Sequence, residues 1–276
     1  MASALGRADI VRLLCEEFHA DVSALTTEDD STPLLHCTRF CNSPDDALHV
    51  ANILLEHGAN PTQGMAEGDF TPLSFALWRP LIPVAERIIP LTNLSKRSSG
   101  GNFSSYLFAA LDALRHRQRI DSLNHYLEHA SEYIQPRDVF ECVEKCGLPA
   151  LDAVLQKNPP LMRPSQSTWL HDNATQIAFA TLTAQRVHRR PSSQTISVLE
   201  RACQYGLNPS EVIDYICDYE DPEVLSWAIE KGARFTLSKE DLAEEIRYLP
   251  TSWIQTVLRA WDNQHSADNG TGGVVS

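Results

Sequence analysis

Thr32-Pro33-Leu34 returns as Thr71-Pro72-Leu73, 39 residues further along the chain. Proline at the first helical position suits its fixed φ and missing N–H, so each tripeptide opens a helix. Two such starts, with matching helices beside them, mark an internal repeat. Ile10-Val11-Arg12-Leu13-Leu14 leads to Ala20-Asp21-Val22, and Val50-Ala51-Asn52-Ile53-Leu54-Leu55 leads to Gly58-Ala59-Asn60. A glycine past the last turn fits the left-handed backbone on which helices commonly end. In the first unit Phe18-His19 stands where that glycine would be.

These turns and helices resemble the ankyrin-repeat family, whose unit of 33 residues is a β-turn followed by two antiparallel helices. The extra length here is accounted for by Asn42-Ser43-Pro44-Asp45-Asp46, at the junction of the two helices. The family's T-P-L-H-x-A pattern puts histidine where Leu35 and Ser74 stand, while His36 lies one step off and Cys37 takes the alanine position. The comparison therefore implies that the side-chain tie given by that histidine is missing from both turns. The chain begins almost directly at an outer helix, which leaves the first repeat incomplete.

Beyond residue 92 the threonine–proline–leucine turn disappears, yet a two-helix rhythm continues. Cys146-Gly147 precedes Ala150-Leu151-Asp152-Ala153-Val154-Leu155; Val198-Leu199-Glu200-Arg201-Ala202-Cys203 runs to Gly206; Val224-Leu225-Ser226-Trp227-Ala228-Ile229 runs to Gly232-Ala233. The expected fold class is all-α, an ankyrin-like helical solenoid of antiparallel helix pairs, in which stacking buries the faces that no single pair can bury. We expect repeats over residues 1–94, a polar, glycine-bearing linker over 95–103, further degenerate pairs over 104–262, and a disordered tail over 263–276. Pro159-Pro160 to Ser167 is too proline-rich to stay helical and reads as a second break.

Composition narrows the function. The net charge of −13 opposes binding to a phosphate backbone, so no nucleic-acid partner is expected. Arg186, His188, Arg189 and Arg190 form the one basic cluster, read as a solvated helix end. No stretch approaches the ~20 apolar residues of a membrane span, and the start of the chain has no apolar signal core. The expected location is the cytoplasm, with the nucleus as the alternative. Seven cysteines without a CxxC pair point to neither a disulfide framework nor structural zinc, and fit a reducing compartment.

Chemistry-bearing strings are few. His125-Tyr126-Leu127-Glu128-His129 matches an H-x-x-E-H zinc-protease pattern. Leu127-Glu128-His129-Ala130 also repeats Leu55-Glu56-His57-Gly58-Ala59, which makes these histidines solvent-facing positions at the end of an outer helix. We expect no metal site and no cofactor. Cys37, beside His36, reads as core packing rather than as a nucleophile. Trp227 and Trp253 sit in helix-periodic apolar patterns and are expected in the core.

The resemblance implies binding as the activity, through hairpin tips and inner helices that present a concave surface to a protein or peptide. Thr27, Glu28, Asp29 and Asp30 would supply the first tip, and Glu67, Asp69 and Phe70 the second. His36, Arg39 and Phe40, followed by Phe75, Trp78 and Arg79, would supply the groove, since Trp and Arg are common interface anchors. Trp78 also fits a place in the core. A rival reading is an enzyme of lyase or cyclase type that reuses the solenoid to enclose a small molecule. An enclosed pocket lined by aromatics and a buried carboxylate or histidine would distinguish it.

Overall fold

The two threonines that open the repeats close the helix ends physically. Thr32 has extended backbone, and its Oγ1 accepts the Leu35 N–H at 3.2 Å. Thr71 goes further: its Oγ1 accepts the Ser74 N–H at 3.3 Å, while Ser74 Oγ accepts the Thr71 N–H at 2.8 Å. This reciprocal capping box satisfies two backbone donors that a helix start leaves orphaned. Ser74 Oγ also donates to the Thr71 carbonyl at 2.8 Å. The expectation of an untied turn therefore fails in the second unit, where serine at the histidine position ties the turn itself.

The far ends of the closing helices share one geometry. Gly58 has φ 88, and the Ala59 N–H reaches back to the Leu54 carbonyl at 2.9 Å. The same six-to-one bond joins Leu207 to Ala202 at 3.1 Å and Ala233 to Ala228 at 3.0 Å. It satisfies a carbonyl that the last turn leaves open. In the first unit His19 adopts the left-handed backbone, at φ 49. Histidine is among the non-glycine residues enriched there.

The structure is a computed structural model that describes residues 1–65, 70–95, 105–157 and 167–270. It is 69% helix with 15 α-helices, and no strand occurs among the described residues. They divide into two compact units, Met1–Met162 and Arg163–Ser276. Among the described residues no helix is long and apolar enough to cross a membrane.

Unit 1 contains α1 (Ala8–Glu16), α2 (Pro33–Phe40), α3 (Pro44–Glu56), α4 (Pro72–Trp78), α5 (Ile82–Ile88), α6 (Ser105–Arg117), α7 (Asp121–Ala130), α8 (Pro136–Cys146) and α9 (Leu148–Lys157). They form two rows. In one, α2 packs on α4, α4 on α6 and α6 on α8; in the other, α1 packs on α3, α3 on α5, α5 on α7 and α7 on α9. The rows meet pairwise, α2 with α3, α4 with α5, α6 with α7 and α8 with α9. Leu54, Leu73, Leu77, Leu107, Leu111, Leu123 and Leu127 fill the space between them and are essentially fully buried.

Helices α4 and α6 pack directly on each other, because each pair leaves an apolar face for the next. Most of the linker expected over 95–103 lies outside the described residues.

Unit 2 contains α10 (Ser167–His188), α11 (Ser192–Gln204), α12 (Ile213–Ile216), α13 (Pro222–Glu230), α14 (Lys239–Glu245) and α15 (Thr251–Gly270). Helix α11 packs on both α10 and α13, α12 on α13, and α14 on α15. Asp221 knits three of these helices. Its carboxylate caps α13 by accepting the Glu223 and Val224 N–H groups at 3.0 and 3.1 Å, and it also accepts Ser192 Oγ at 2.8 Å and the Gln185 amide. Trp227 and Trp253 are buried as expected, and Trp253 Nε1 donates to the Cys217 carbonyl at 2.7 Å. Helix α15 continues to Gly270, into the stretch expected as a disordered tail.

Candidate functional site

The first hairpin tip is a hydrogen-bonded turn between Thr26 and Ser31. The Thr26 N–H donates to the Ser31 carbonyl at 3.1 Å, and the Ser31 N–H donates to Thr26 Oγ1 at 3.0 Å. Thr26 Oγ1 in turn donates to Asp29 Oδ1 at 2.6 Å. Asp29 Oδ2 accepts Arg39 Nη1 from α2, also at 2.6 Å. The Thr26 and Ser31 hydroxyls, and then Arg39, hold the Asp29 carboxyl well below the usual carboxylate range. Thr27, Glu28 and Asp30 point to solvent. Among the tip candidates Asp29 thus organises the turn, and Thr26, absent from the sequence reading, is the hub on which it depends. Glu67 and Asp69, expected on the second tip, lie outside the described residues.

From Asp29 a continuous chain of side chains crosses the inner row. The Arg39 guanidinium lies 4.7 Å from the Phe40 ring centre and 5.7 Å from that of Phe75 on α4. His36 and Phe40, one turn apart on α2, have ring centres 5.3 Å apart. Phe70 stacks on Phe75 at 5.6 Å, and Phe75 meets Trp78 edge-on at 6.4 Å. Phe40 and Phe70 are about half exposed, whereas His36, Arg39, Phe75 and Trp78 are half-buried. The spacing of one helical turn puts these residues on one face, and the stacking of α2 on α4 joins the faces.

Trp78, weighed above as core or groove, is half-buried between α4 and α6. Its Nε1 donates to Asp112 Oδ2 on α6 at 2.7 Å, and Arg117 lies 4.7 Å over its ring. Asp112 Oδ1 also faces His116 Nε2 at 3.3 Å. One layer on, Lys145 of α8 lies 4.4 Å over the Phe108 ring of α6. A cation from one layer over an aromatic ring of its neighbour therefore recurs along the row, an arrangement worth about 0.5–1 kcal/mol at an exposed site. Phe108, Asp112, Arg117 and Lys145 escape a sequence reading that follows the threonine–proline–leucine turns. Their signal is the i, i+4 placement of Phe108 and Asp112 on α6.

Arg79, another of the groove candidates, is held from α2. Its Nη1 donates to the Thr38 carbonyl at 3.4 Å and its Nη2 to Asn42 Oδ1 at 3.0 Å, so it ties the end of α4 to the end of α2. Burial, and then the nearby Arg117, push its pKa down.

No protein-family model and no curated protein matches this sequence.

The remaining motifs lie off this face. His125 and His129 meet edge-on with ring centres 5.0 Å apart, and Glu128 Oε1 accepts Lys157 Nζ from α9 at 3.0 Å. His125 is half-buried rather than solvent-facing, and burial, with His129, lowers its pKa. Among the described residues no group of His, Cys, Asp or Glu is arranged to hold a metal ion. Cys37 is fully buried, its Sγ 3.3 Å from the Ala47 carbonyl, and burial pushes its thiol far above the usual range. A half-open cavity of about 290 Å³ beside α1 is walled by Val11, Leu14, Val22, Leu25, Pro33 and Leu54, with His36 at its edge. Its lining includes no Phe, Tyr or Trp among the described residues.

Proposed function

We propose that this protein is an interaction module of ankyrin-like architecture, binding a protein or peptide across the inner row and hairpin tips of unit 1. The supporting observation is the stripe His36, Phe40, Phe70, Phe75 and Trp78, which runs over α2 and α4 and on to α6 with its rings partly open to solvent. Aromatic side chains held in fixed rotamers by neighbouring cations lose little further freedom when a partner covers them. Trp and Arg in such settings are the usual carriers of binding energy. The pairing of helices in two rows, the capped turns at Thr32 and Thr71, and the Gly58 helix end support the ankyrin-like reading. The cavity beside α1 lacks the aromatic lining that an enclosed small-molecule site would call for, so the enzymatic alternative gains no support from it.

The test uses the full chain immobilised as bait in native lysate, next to two variants. Phe40→Ser with Phe70→Ser removes the two most exposed rings of the stripe, and Glu86→Arg alters an exposed position on the outer helix α5. Partners retained by Glu86→Arg and lost from the double variant are the expected result. Recovery of the same partners by all three baits would refute binding through this face.

A further inference from the structure

On this face an acidic protein carries a row of cations. With a net charge of −13, the chain nonetheless sets a cation at or next to the C-terminal end of every inner helix of unit 1: Arg39 on α2, Arg79 after α4, Arg117 on α6 and Lys145 on α8. Cations there are favourable because the last turn of a helix presents unpaired carbonyls. That accounts for Arg39 and Lys145, which also have carboxylates to face, Asp29 at 2.6 Å and Glu141 at 4.0 Å.

Arg79 and Arg117 are different. Arg79 follows Trp78 in the chain and Arg117 lies 4.7 Å from the Trp78 ring centre, and among the described residues neither is paired with a carboxylate. Asp112, the carboxylate beside Trp78, is already engaged by the Trp78 indole N–H and His116. A guanidinium has five N–H donors, and Arg79 directs its own to Thr38 and Asn42. Arg117 lies 4.7 Å from the Trp78 ring centre and is exposed, so its donors are open to an incoming acceptor.

We propose, building on the binding role above, that the groove takes an acidic peptide segment, one of whose carboxylates seats on Arg117 beside the Trp78 ring. Carboxylates suit this place because the guanidinium fork accepts them with two parallel bonds. Neighbouring rings of Phe75 and Trp78 cover the aliphatic part of the same side chain. A nucleic acid would need a continuous basic surface for its row of phosphates, whereas a peptide can set a single carboxylate on Arg117, so the partner is a protein segment.

The experiment selects 12-residue peptides from a random displayed library on the full chain, then measures chosen peptides by fluorescence anisotropy. Selected peptides should be richer in Asp and Glu than the input. A glutamate peptide should bind at least ten-fold more weakly when that glutamate becomes glutamine, or when the chain carries Arg117→Glu, and its affinity should fall with added salt. Arg117 is exposed, and an unchanged helical spectrum of the variant separates loss of charge from loss of fold. A pool no richer in acid, or equal binding by Arg117→Glu, overturns the proposal. In that event the groove reading survives if the selected peptides are lost on Phe40→Ser with Phe70→Ser, and falls if they are kept. Failure to select any peptide overturns both.

Discussion

Replacing Trp78 with Ala should destabilise unit 1 by about 3 kcal/mol. A tryptophan side chain brings roughly 200 Å² of surface. With the ring half-buried, about 100 Å² of apolar contact is given up, or about 2.5 kcal/mol at ~25 cal/mol per Å². The area figure is an upper bound, since an unfolded chain already buries part of it. Losing the 2.7 Å hydrogen bond to Asp112 adds about 1 kcal/mol at a partly solvated site. Trp78→Phe separates the two parts, because phenylalanine keeps a ring under Arg117 and lacks the indole N–H. Its expected cost is about 1 kcal/mol. Urea unfolding followed by circular dichroism at 222 nm measures both, with the alanine variant shifted by about 1 M at a typical slope. The two units can unfold in separate steps, so amide exchange at Leu107 and Leu111 of α6 assigns the loss to unit 1. A cost below about 1 kcal/mol for Trp78→Ala would refute the reasoning, because Trp78 would then not be joining α4 to α6.

Further outcomes follow from the same geometry. His36 and His125 both have pKa values lowered chiefly by burial, so the unfolded chain takes up their protons first. Their contribution is complete above about pH 6.5 and is lost as pH falls below it. Urea midpoints at pH 7.5 and 5.5 should show this, and the fall should shrink in His36→Gln and His125→Gln. Asp29 has the same sign at lower pH: its pKa is depressed, so its contribution is present above about pH 4 and is lost on further acidification, a loss that Asp29→Asn should abolish. Ser74→Ala breaks the capping box and strands the buried Thr71 N–H, for an expected loss of about 1–2 kcal/mol in the same urea assay. Gly58→Ala meets open space at φ 88 and should cost about 1 kcal/mol of backbone strain. Gly6→Ala should cost more, because its Cβ would lie 2.8 Å from Cys41 Sγ and 2.9 Å from Asp46 Cβ.

What the amino-acid order determined by itself is local. Helix starts at Pro33 and Pro72, the left-handed helix end at Gly58 and the burial of Cys37, Trp227 and Trp253 all rest on interactions within a turn or two, or on apolar periodicity along one helix. The groove candidates His36, Arg39, Phe40, Phe75 and Trp78 were legible for the same reason, as same-face positions on helices whose ends the turns mark. Tertiary structure decided the rest. Which carboxylate receives the Trp78 indole, and which guanidinium covers its ring, depends on how far α6 is shifted along α4, and that register is set by interlocking Leu73, Leu77, Leu107 and Leu111 rather than by any short motif. Arg79 illustrates the limit most directly: its place after Trp78 is plain in the sequence, but its bonds to the Thr38 carbonyl and Asn42 follow from the stacking of α4 on α2. The packing of α4 on α6 within one compact unit is likewise a tertiary outcome, because each helix pair leaves an apolar face that only the next can bury.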